Sequence, residues 1–81
     1  MDILIKKYLN NYEMELVLNK KKTRLCNCPI GLFMYDNTLC LRTEYYTHDK
    51  PECYIVLSGE AFCANSQTDF NLILVTPVKV K

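Results

Sequence analysis

The chain has 81 residues, a formal net charge of +1 and five cysteines. A chain of this length forms one domain, 1–81, with a small core of marginal stability. No stretch approaches the roughly 18 consecutive apolar residues of a membrane-spanning helix, and the near-neutral charge predicts no strong attraction of the whole molecule to nucleic acid or membranes.

The first residues, MDILIKKYLNNYEMELV, have two structural interpretations. Asp2 can cap a helix on which Ile5, Leu9 and Tyr12 share one face, which predicts a short helix at about 2–11. The alternative is a strand from Ile3 to Leu9 that turns at Asn10 and Asn11 into the next strand. We favour the helix. The lysines follow the apolar residues and no small-residue cleavage site is present, so we expect a cytoplasmic protein without a secretory signal.

Strand patterns begin at Met14. In residues 14–18, Met14, Leu16 and Leu18 face one way and Glu15 and Val17 face the other, which predicts a half-buried strand. Residues 19–23 form a polar, basic turn, and residues 25–35 resume strand character with a bend or bulge at Pro29 and Gly31.

The segment GLFMYDNTLCLRTEYY, residues 31–46, predicts a β-hairpin that turns at Asp36 and Asn37. Residues 47–51 are expected to form a loop. A second hairpin is predicted from the strand at 53–57, the tight turn at Ser58 and Gly59, and a partner strand at 61–64.

The last predicted strand, 72–80, contains Pro77, which suggests a sheet edge. Short strands separated by turns indicate a mainly β fold: a small antiparallel SH3-like barrel of about five strands over about 14–81, preceded by the short helix. The runs 30–35, 54–57 and 72–75 are apolar on both faces. Since one helix cannot cover all three, we expect a homo-oligomer.

The cysteines are Cys26, Cys28, Cys40, Cys53 and Cys63. Their odd number and the expected cytoplasmic location predict free thiols rather than disulfides. The one-residue spacing of Cys26 and Cys28 differs from that of a zinc knuckle. We therefore expect no metal site, and interpret the cysteines as small, partly buried apolar residues.

Catalysis is poorly supported by the sequence. The single histidine, His48, lies in a predicted loop, where no third group would hold it for nucleophilic catalysis. Two glycines, Gly31 and Gly59, cannot form a phosphate-binding loop. Ser58 lies in a turn without the spacing of a nucleophile elbow. We expect neither an enzyme nor a cofactor.

Binding is better supported. The candidate ligand-binding residues combine arginines, which pair with phosphates, and tyrosines, which stack on bases: Arg24, Arg42, Tyr45, Tyr46 and Tyr54. Each residue alone has a simpler interpretation, since tyrosines are common in strands and Arg42 could be a solvent-facing partner of Glu44 or Glu60.

Four sequence pieces occur in a suggestive order: Pro29, Gly31 and Phe33; then LCLRT at 39–43; then YIVLSGE at 54–60; then VTPV at 75–78. This layout resembles a loose family of small phage and prophage proteins. The resemblance implies a small β-barrel of viral origin, acting in the host cytoplasm. Some phage proteins of this size act against host defence as oligomeric sponges that trap a nucleotide signal without cleaving it.

We therefore expect a non-enzymatic phage protein that sequesters a small nucleotide-derived ligand of host defence signalling. A protein–protein inhibitor that binds a host defence protein is the main alternative. A second alternative is single-stranded nucleic-acid binding through the basic cluster 20–24, which the near-neutral net charge disfavours.

Overall fold

The computed structural model describes residues 3–9, 12–19, 21–62 and 70–81. Within them the chain forms seven strands and two short 3-10 helices, at Leu25–Asn27 and Phe70–Leu72. The strands are β1 (Ile3–Leu9), β2 (Tyr12–Leu18), β3 (Thr23–Arg24), β4 (Gly31–Tyr35), β5 (Thr38–Thr47), β6 (Lys50–Ile55) and β7 (Leu74–Val80). Neither helix of the described residues is long and apolar enough to cross a membrane.

The strands form one antiparallel sheet in the order β1-β2-β7-β4-β5-β6, and β3 pairs with β7 beside β2. The sheet does not close, because β1 lies at one end and β6 at the other. The mainly β prediction is confirmed. The predicted five-stranded closed barrel is wrong, since the N-terminal segment adds a hairpin to the sheet and lengthens it.

The predicted helix at about 2–11 is wrong where the structure describes it, because residues 3–9 form β1. Asp2, Asn10 and Asn11 lie outside the described residues. An isolated helix of about ten residues is marginal in water. As a strand the segment instead gains a continuous ladder with β2, from Ile3 opposite Leu18 to residue 9 opposite residue 12.

Pro77 lies on an interior strand, so the predicted edge position of β7 is wrong. The Pro77 carbonyl accepts a hydrogen bond from the Asn19 amide at 2.9 Å. The nitrogen of Pro77 faces the same side of the strand, as both backbone groups of one strand residue do. On that side β7 pairs with β3 up to Val75 and with β2 from Val78 onward. The missing N–H therefore falls between two ladders and costs none of their hydrogen bonds.

Two hydrophobic cores lie on opposite faces of β4. The first core contains Leu25, Cys28, Phe33, Cys40, Cys53, Phe62, Ile73 and Val75. The second core contains Leu16, Met34, Leu39 and Val78, with Ile5, Met14, Leu18, Leu32 and Val56 packed against it. Successive strand residues point to opposite faces, which explains why β4 is apolar throughout. One chain thus covers both faces at Phe33 and Met34, without a second copy.

The hairpins follow the turn chemistry. The turn at Asp36 and Asn37 is confirmed, with Tyr35 opposite Thr38 and Asp36 at a φ of 52°. The turn at Ser58 and Gly59 is confirmed but is wider than predicted, because the strand predicted at 53–57 is β6, which ends at Ile55. The Gly59 amide donates to the Ile55 carbonyl at 2.7 Å, and the φ of Gly59 is 75°. Of the partner strand predicted at 61–64, Ala61 bridges to Tyr54 and residues 63–64 lie outside the described residues.

Two segments differ from the predicted strand and loop. Residues 25–27 form a 3-10 helix, and β4 begins only at Gly31, whose φ is 130°. The loop predicted at 47–51 is a tight hairpin turn, in which Thr47 pairs with Lys50. His48 and Asp49 have φ values of 53° and 61°. Positive φ at both central residues matches the strand twist in two-residue hairpins.

Candidate functional site

Arg42 is the buried charged residue of the described part of the chain, with 7% of its surface exposed. It lies on β5, opposite Gly31 of β4 on one side and Cys53 of β6 on the other. Cys40, two positions earlier, faces the first core. Because side chains alternate along a strand, Arg42 points toward the same core.

The guanidinium of Arg42 has two protein partners. Its Nη1 donates to the Cys28 carbonyl, directly after the first 3-10 helix, and its Nη2 donates to the Tyr46 hydroxyl at 2.7 Å. The guanidinium carbon lies 5.9 Å from the centre of the Tyr46 ring, within cation–π distance. The buried Nε has no hydrogen-bond partner. One edge of the guanidinium is therefore incompletely satisfied.

Arg42 also lacks a counter-ion within the described residues. The ion pairs there join Lys6 to Glu13 and Lys81 to Glu15, on β1, β2 and the C-terminus. Burying a cation costs several kcal/mol unless an anion and hydrogen bonds compensate. A buried guanidinium held by neutral oxygens, with a free Nε, is chemically suited to receive an anion, since its planar fork matches carboxylate and phosphate groups.

An irregularity of β5 places Tyr46 beside Arg42. The register with β6 shifts between Arg42, which faces Cys53, and Tyr46, which faces Pro51. Such bulges bend a strand and redirect its side chains. The hydroxyl of Tyr46 consequently reaches Arg42 while 59% of the tyrosine stays exposed. The result is a buried cation below an exposed aromatic ring.

The thiols beside this site are held in their protonated form by burial. Burial raises the pKa of Cys28, although the nearby Arg42 guanidinium lowers it. Burial also raises the pKa of Cys53 to about 11 against the effect of Arg42, and burial with the Cys53 thiol raises the pKa of Cys40 to about 11. Since the thiolate is the nucleophile, these cysteines are core residues at neutral pH, as expected. Cys26 is exposed, and Cys63 lies outside the described residues.

Tyr54 lies on the opposite face of the sheet from Arg42, because it follows Cys53, the residue opposite Arg42. Its hydroxyl donates to Glu52 at 3.3 Å, and Thr47 donates to the same carboxylate at 2.5 Å. The Glu52 carboxylate, with smaller effects of burial and the hydrogen bond, raises the pKa of Tyr54. A negative charge beside Tyr54 disfavours a phosphate there.

The other two candidates are exposed. Arg24 lies on β3, opposite Leu74, and 63% of Tyr45 is exposed, with its amide bonded to the Thr43 hydroxyl at 3.2 Å. Of the five predicted residues, the structure thus joins Arg42 and Tyr46 in direct contact and places Tyr54 elsewhere. In the basic cluster, Lys21 and Lys22 are exposed and Lys20 lies outside the described residues.

Two features were absent from the sequence interpretation. The first is the Cys28 carbonyl, which binds Arg42 from 14 positions away; a backbone acceptor has no sequence signal. The second is a groove of about 390 Å³ where β4 and β7 separate, lined by Ile30, Leu32, Val78 and neighbouring residues. Among the described residues, no group of three His, Cys, Asp or Glu side chains is arranged to hold a metal ion.

Compared with protein-family models, curated proteins and solved structures, the chain has no match. The resemblance of residues 29–78 to small phage proteins therefore stays a prediction that rests on the four sequence pieces alone.

Proposed function

We propose that the protein is a non-enzymatic binding protein that sequesters a small nucleotide-derived ligand at Arg42 and Tyr46. One observation carries this proposal: Arg42, a residue that is 7% exposed, has an unpartnered Nε and no carboxylate partner within the described residues. A phosphate would supply the missing counter-ion.

The chemistry of the ligand follows from the two groups. The guanidinium offers charge-assisted hydrogen bonds to phosphate oxygens. The exposed ring of Tyr46 offers a stacking surface for a base, an interaction of about 1–3 kcal/mol. A flat, anionic molecule of nucleotide size satisfies both groups, whereas a purely apolar ligand would leave Arg42 unpaired.

The neighbouring groups support capture rather than turnover. The thiols closest to Arg42 are protonated at neutral pH. His48 lies in a tight turn with positive φ, next to Asp49, and its position there serves the hairpin. The resemblance to small phage proteins supports a role in the host cytoplasm against a defence signal, with the protein acting as a homo-oligomer.

A protein–protein inhibitor remains the second candidate, because several large apolar side chains are exposed. Ile30, Leu57, Leu72 and Leu74 have between 48% and 65% of their surfaces exposed. Exposed apolar residues mark interaction sites when they form contiguous patches. These residues would contact a host protein without involving Arg42, which separates the two candidates experimentally.

The test is ligand depletion. The purified protein is incubated with a panel of linear and cyclic nucleotides, removed by filtration and heat-denatured, and the released material is identified by mass spectrometry. We expect one nucleotide class to be depleted and recovered intact. Arg42→Ala should abolish depletion. Lys6→Ala, which removes the same charge from an exposed position on β1, should retain it. The proposal would be contradicted if the unchanged protein depletes no nucleotide, or if Arg42→Ala depletes a nucleotide as well as the unchanged protein does.

A further inference from the structure

We propose that Tyr46 is a lid whose hydroxyl occupies the anion position of Arg42 until the ligand displaces it. This inference rests on the proposed function and adds how the site is kept closed and how it opens. The observations are the 2.7 Å hydrogen bond from Nη2 to the Tyr46 hydroxyl and the unpartnered Nε of the same guanidinium.

The two nitrogens concerned form one edge of the guanidinium. Nη1 lies on the other side of the group and is held by the Cys28 carbonyl. An anion that binds an arginine side-on accepts two parallel hydrogen bonds, from Nε and Nη2. The phenol oxygen of Tyr46 accepts one of these and leaves the other donor unpaired. Tyr46 therefore fills half of a bidentate anion site.

Exchange of this oxygen for an anion is favourable. The Arg42–Tyr46 bond is already charge-assisted through its cationic donor. The gain comes from the charge of the anion, which supplies a counter-ion, and from its second hydrogen bond, to Nε. Tyr46 loses one hydrogen bond, and its ring, already 59% exposed, stays in contact with solvent or with the base of the ligand. Arg42 itself keeps its bond to Cys28, so the core below the site does not need to move.

The bulge in β5 makes this motion local. Tyr46 follows the register shift, close to the turn at His48 and Asp49, and Tyr45, Tyr46 and Thr47 are all exposed. Strand ends and hairpin tips open at a lower free energy than core strands. Tyr46 can therefore swing out while the ladder of residues 40–42 with β6 stays intact.

The experiment compares Tyr46→Phe with the unchanged protein, using inorganic phosphate, AMP and a cyclic diadenylate as probes in equilibrium dialysis. Tyr46→Phe keeps the ring and removes the competing oxygen, so we expect about tenfold tighter binding of each probe. Tyr46→Ala should show the same gain for inorganic phosphate and a weaker gain, or a loss, for the nucleotides, because the stacking surface is gone. The control is Tyr35→Phe. Tyr35 packs on Phe62 and lies at the opposite end of β4 from Gly31, the residue that faces Arg42, so this variant should bind as the unchanged protein does.

Two negative results are distinguishable. If the unchanged protein binds a probe in an Arg42-dependent manner and Tyr46→Phe binds it equally or more weakly, the lid is wrong and the binding function stands. If neither protein binds any probe, both proposals are overturned. Binding by Tyr46→Phe alone supports the lid.

Discussion

Arg42 and Tyr46 lie four positions apart on one strand, and the Nη2 of Arg42 donates to the Tyr46 hydroxyl at 2.7 Å. In a regular strand, four residues span about 13 Å, so long side chains meet across this separation only if they lean toward each other or the strand bends. The register shift between the two residues supplies the bend. A local irregularity of β5 thus creates the pair.

The first prediction separates a structural from a ligand-binding role of Arg42. Arg42→Met keeps the apolar stem, removes the buried charge and leaves the Cys28 carbonyl without its donor. The lost hydrogen bond costs about 1–3 kcal/mol. The substitution also removes the desolvation penalty of the buried cation, which is several kcal/mol. We therefore expect the free energy of unfolding, measured in urea, to be unchanged or higher, with ligand capture abolished. A loss of more than about 3 kcal/mol would show that Arg42 is retained to fix the Cys28 loop.

The second prediction concerns the hairpin of β1 and β2, which builds the second core. Leu16 is fully buried there. Leu16→Ala should lower the free energy of unfolding by about 2–5 kcal/mol, because it leaves a cavity. Leu4→Ala, the same change at a position on β1 that is 49% exposed, should cost less than about 1 kcal/mol. Equal effects in urea denaturation would place the hairpin away from the core.

How far the sequence predicts the fold depends on how local each signal is. The turns at Asp36 and Gly59 were predictable because positive φ selects a few residue types. The N-terminal strand Ile3–Leu9 was only the alternative interpretation, since Ile5 and Leu9 also fit helical spacing and the ladder with β2 that decides between the two is a pairing between segments. The interior position of Pro77 depends on where two ladders end, which residue type does not encode.

The candidate site shows the same limit. Arginine and tyrosine at positions 42 and 46 indicated binding chemistry, and the structure joins them. The burial of Arg42 had no clear signal, because both faces of β5 carry apolar residues, with Leu39 in one core and Cys40 in the other. The alternation of side chains along β5 therefore does not identify which face of the strand is exposed to solvent. Tyr54 was grouped with Arg42 by composition, but strand parity places it on the other face.

The third prediction is a loss of stability at alkaline pH. Burial raises the pKa of Cys40 and Cys53 from 9.0 to about 11 in the folded state. The folded state thus holds these protons more tightly than the unfolded chain does. The associated stability is fully present below about pH 9 and is lost as the pH rises to about 11, since the unfolded thiols ionise first.

The measurement is the urea midpoint of unfolding at several pH values between 8 and 11, a range that begins near the ordinary pKa of a cysteine thiol, about 8.5. The double variant Cys40→Ala, Cys53→Ala is less stable at every pH because of its cavities, but its midpoint should fall less steeply above pH 9. The two proteins differ in ionisable groups at these two thiols alone, so the difference between their curves reports on the thiols. Parallel curves would show that the thiols are not protected by burial.

The fourth prediction uses the turn between β5 and β6. His48 has a φ of 53°, a left-handed conformation that is unfavourable for most side chains and accessible to asparagine. His48→Asn should raise the free energy of unfolding by up to about 1 kcal/mol, a part of the cost of the left-handed conformation. Lys50→Asn, at the first position of β6, should give no gain. If His48→Asn keeps full ligand capture, the histidine serves the turn and not the site, whereas lost capture would assign it a role in binding.

The fifth prediction is self-association through β7. The sequence predicts self-association because three strand runs are apolar on both faces. At Phe33 and Met34 the chain itself covers both faces, so no second copy is needed there. The prediction still applies at Leu72 and Leu74, which are 48% and 56% exposed. A symmetric dimer that packs these leucines against their copies would bury them in one contact. We expect light scattering at micromolar concentration to give twice the monomer mass.

Leu74→Glu should shift this mass to that of a monomer, because the dimer would place like charges opposite each other across its axis. Leu57→Glu, an equally drastic change at an exposed leucine after β6 that is 63% exposed, should leave the dimer intact. Neither substitution touches Arg42, so ligand capture by the Leu74→Glu monomer also tests whether the site is complete within one chain. A monomer mass for the unchanged protein would contradict the prediction and leave the leucines available for a different partner.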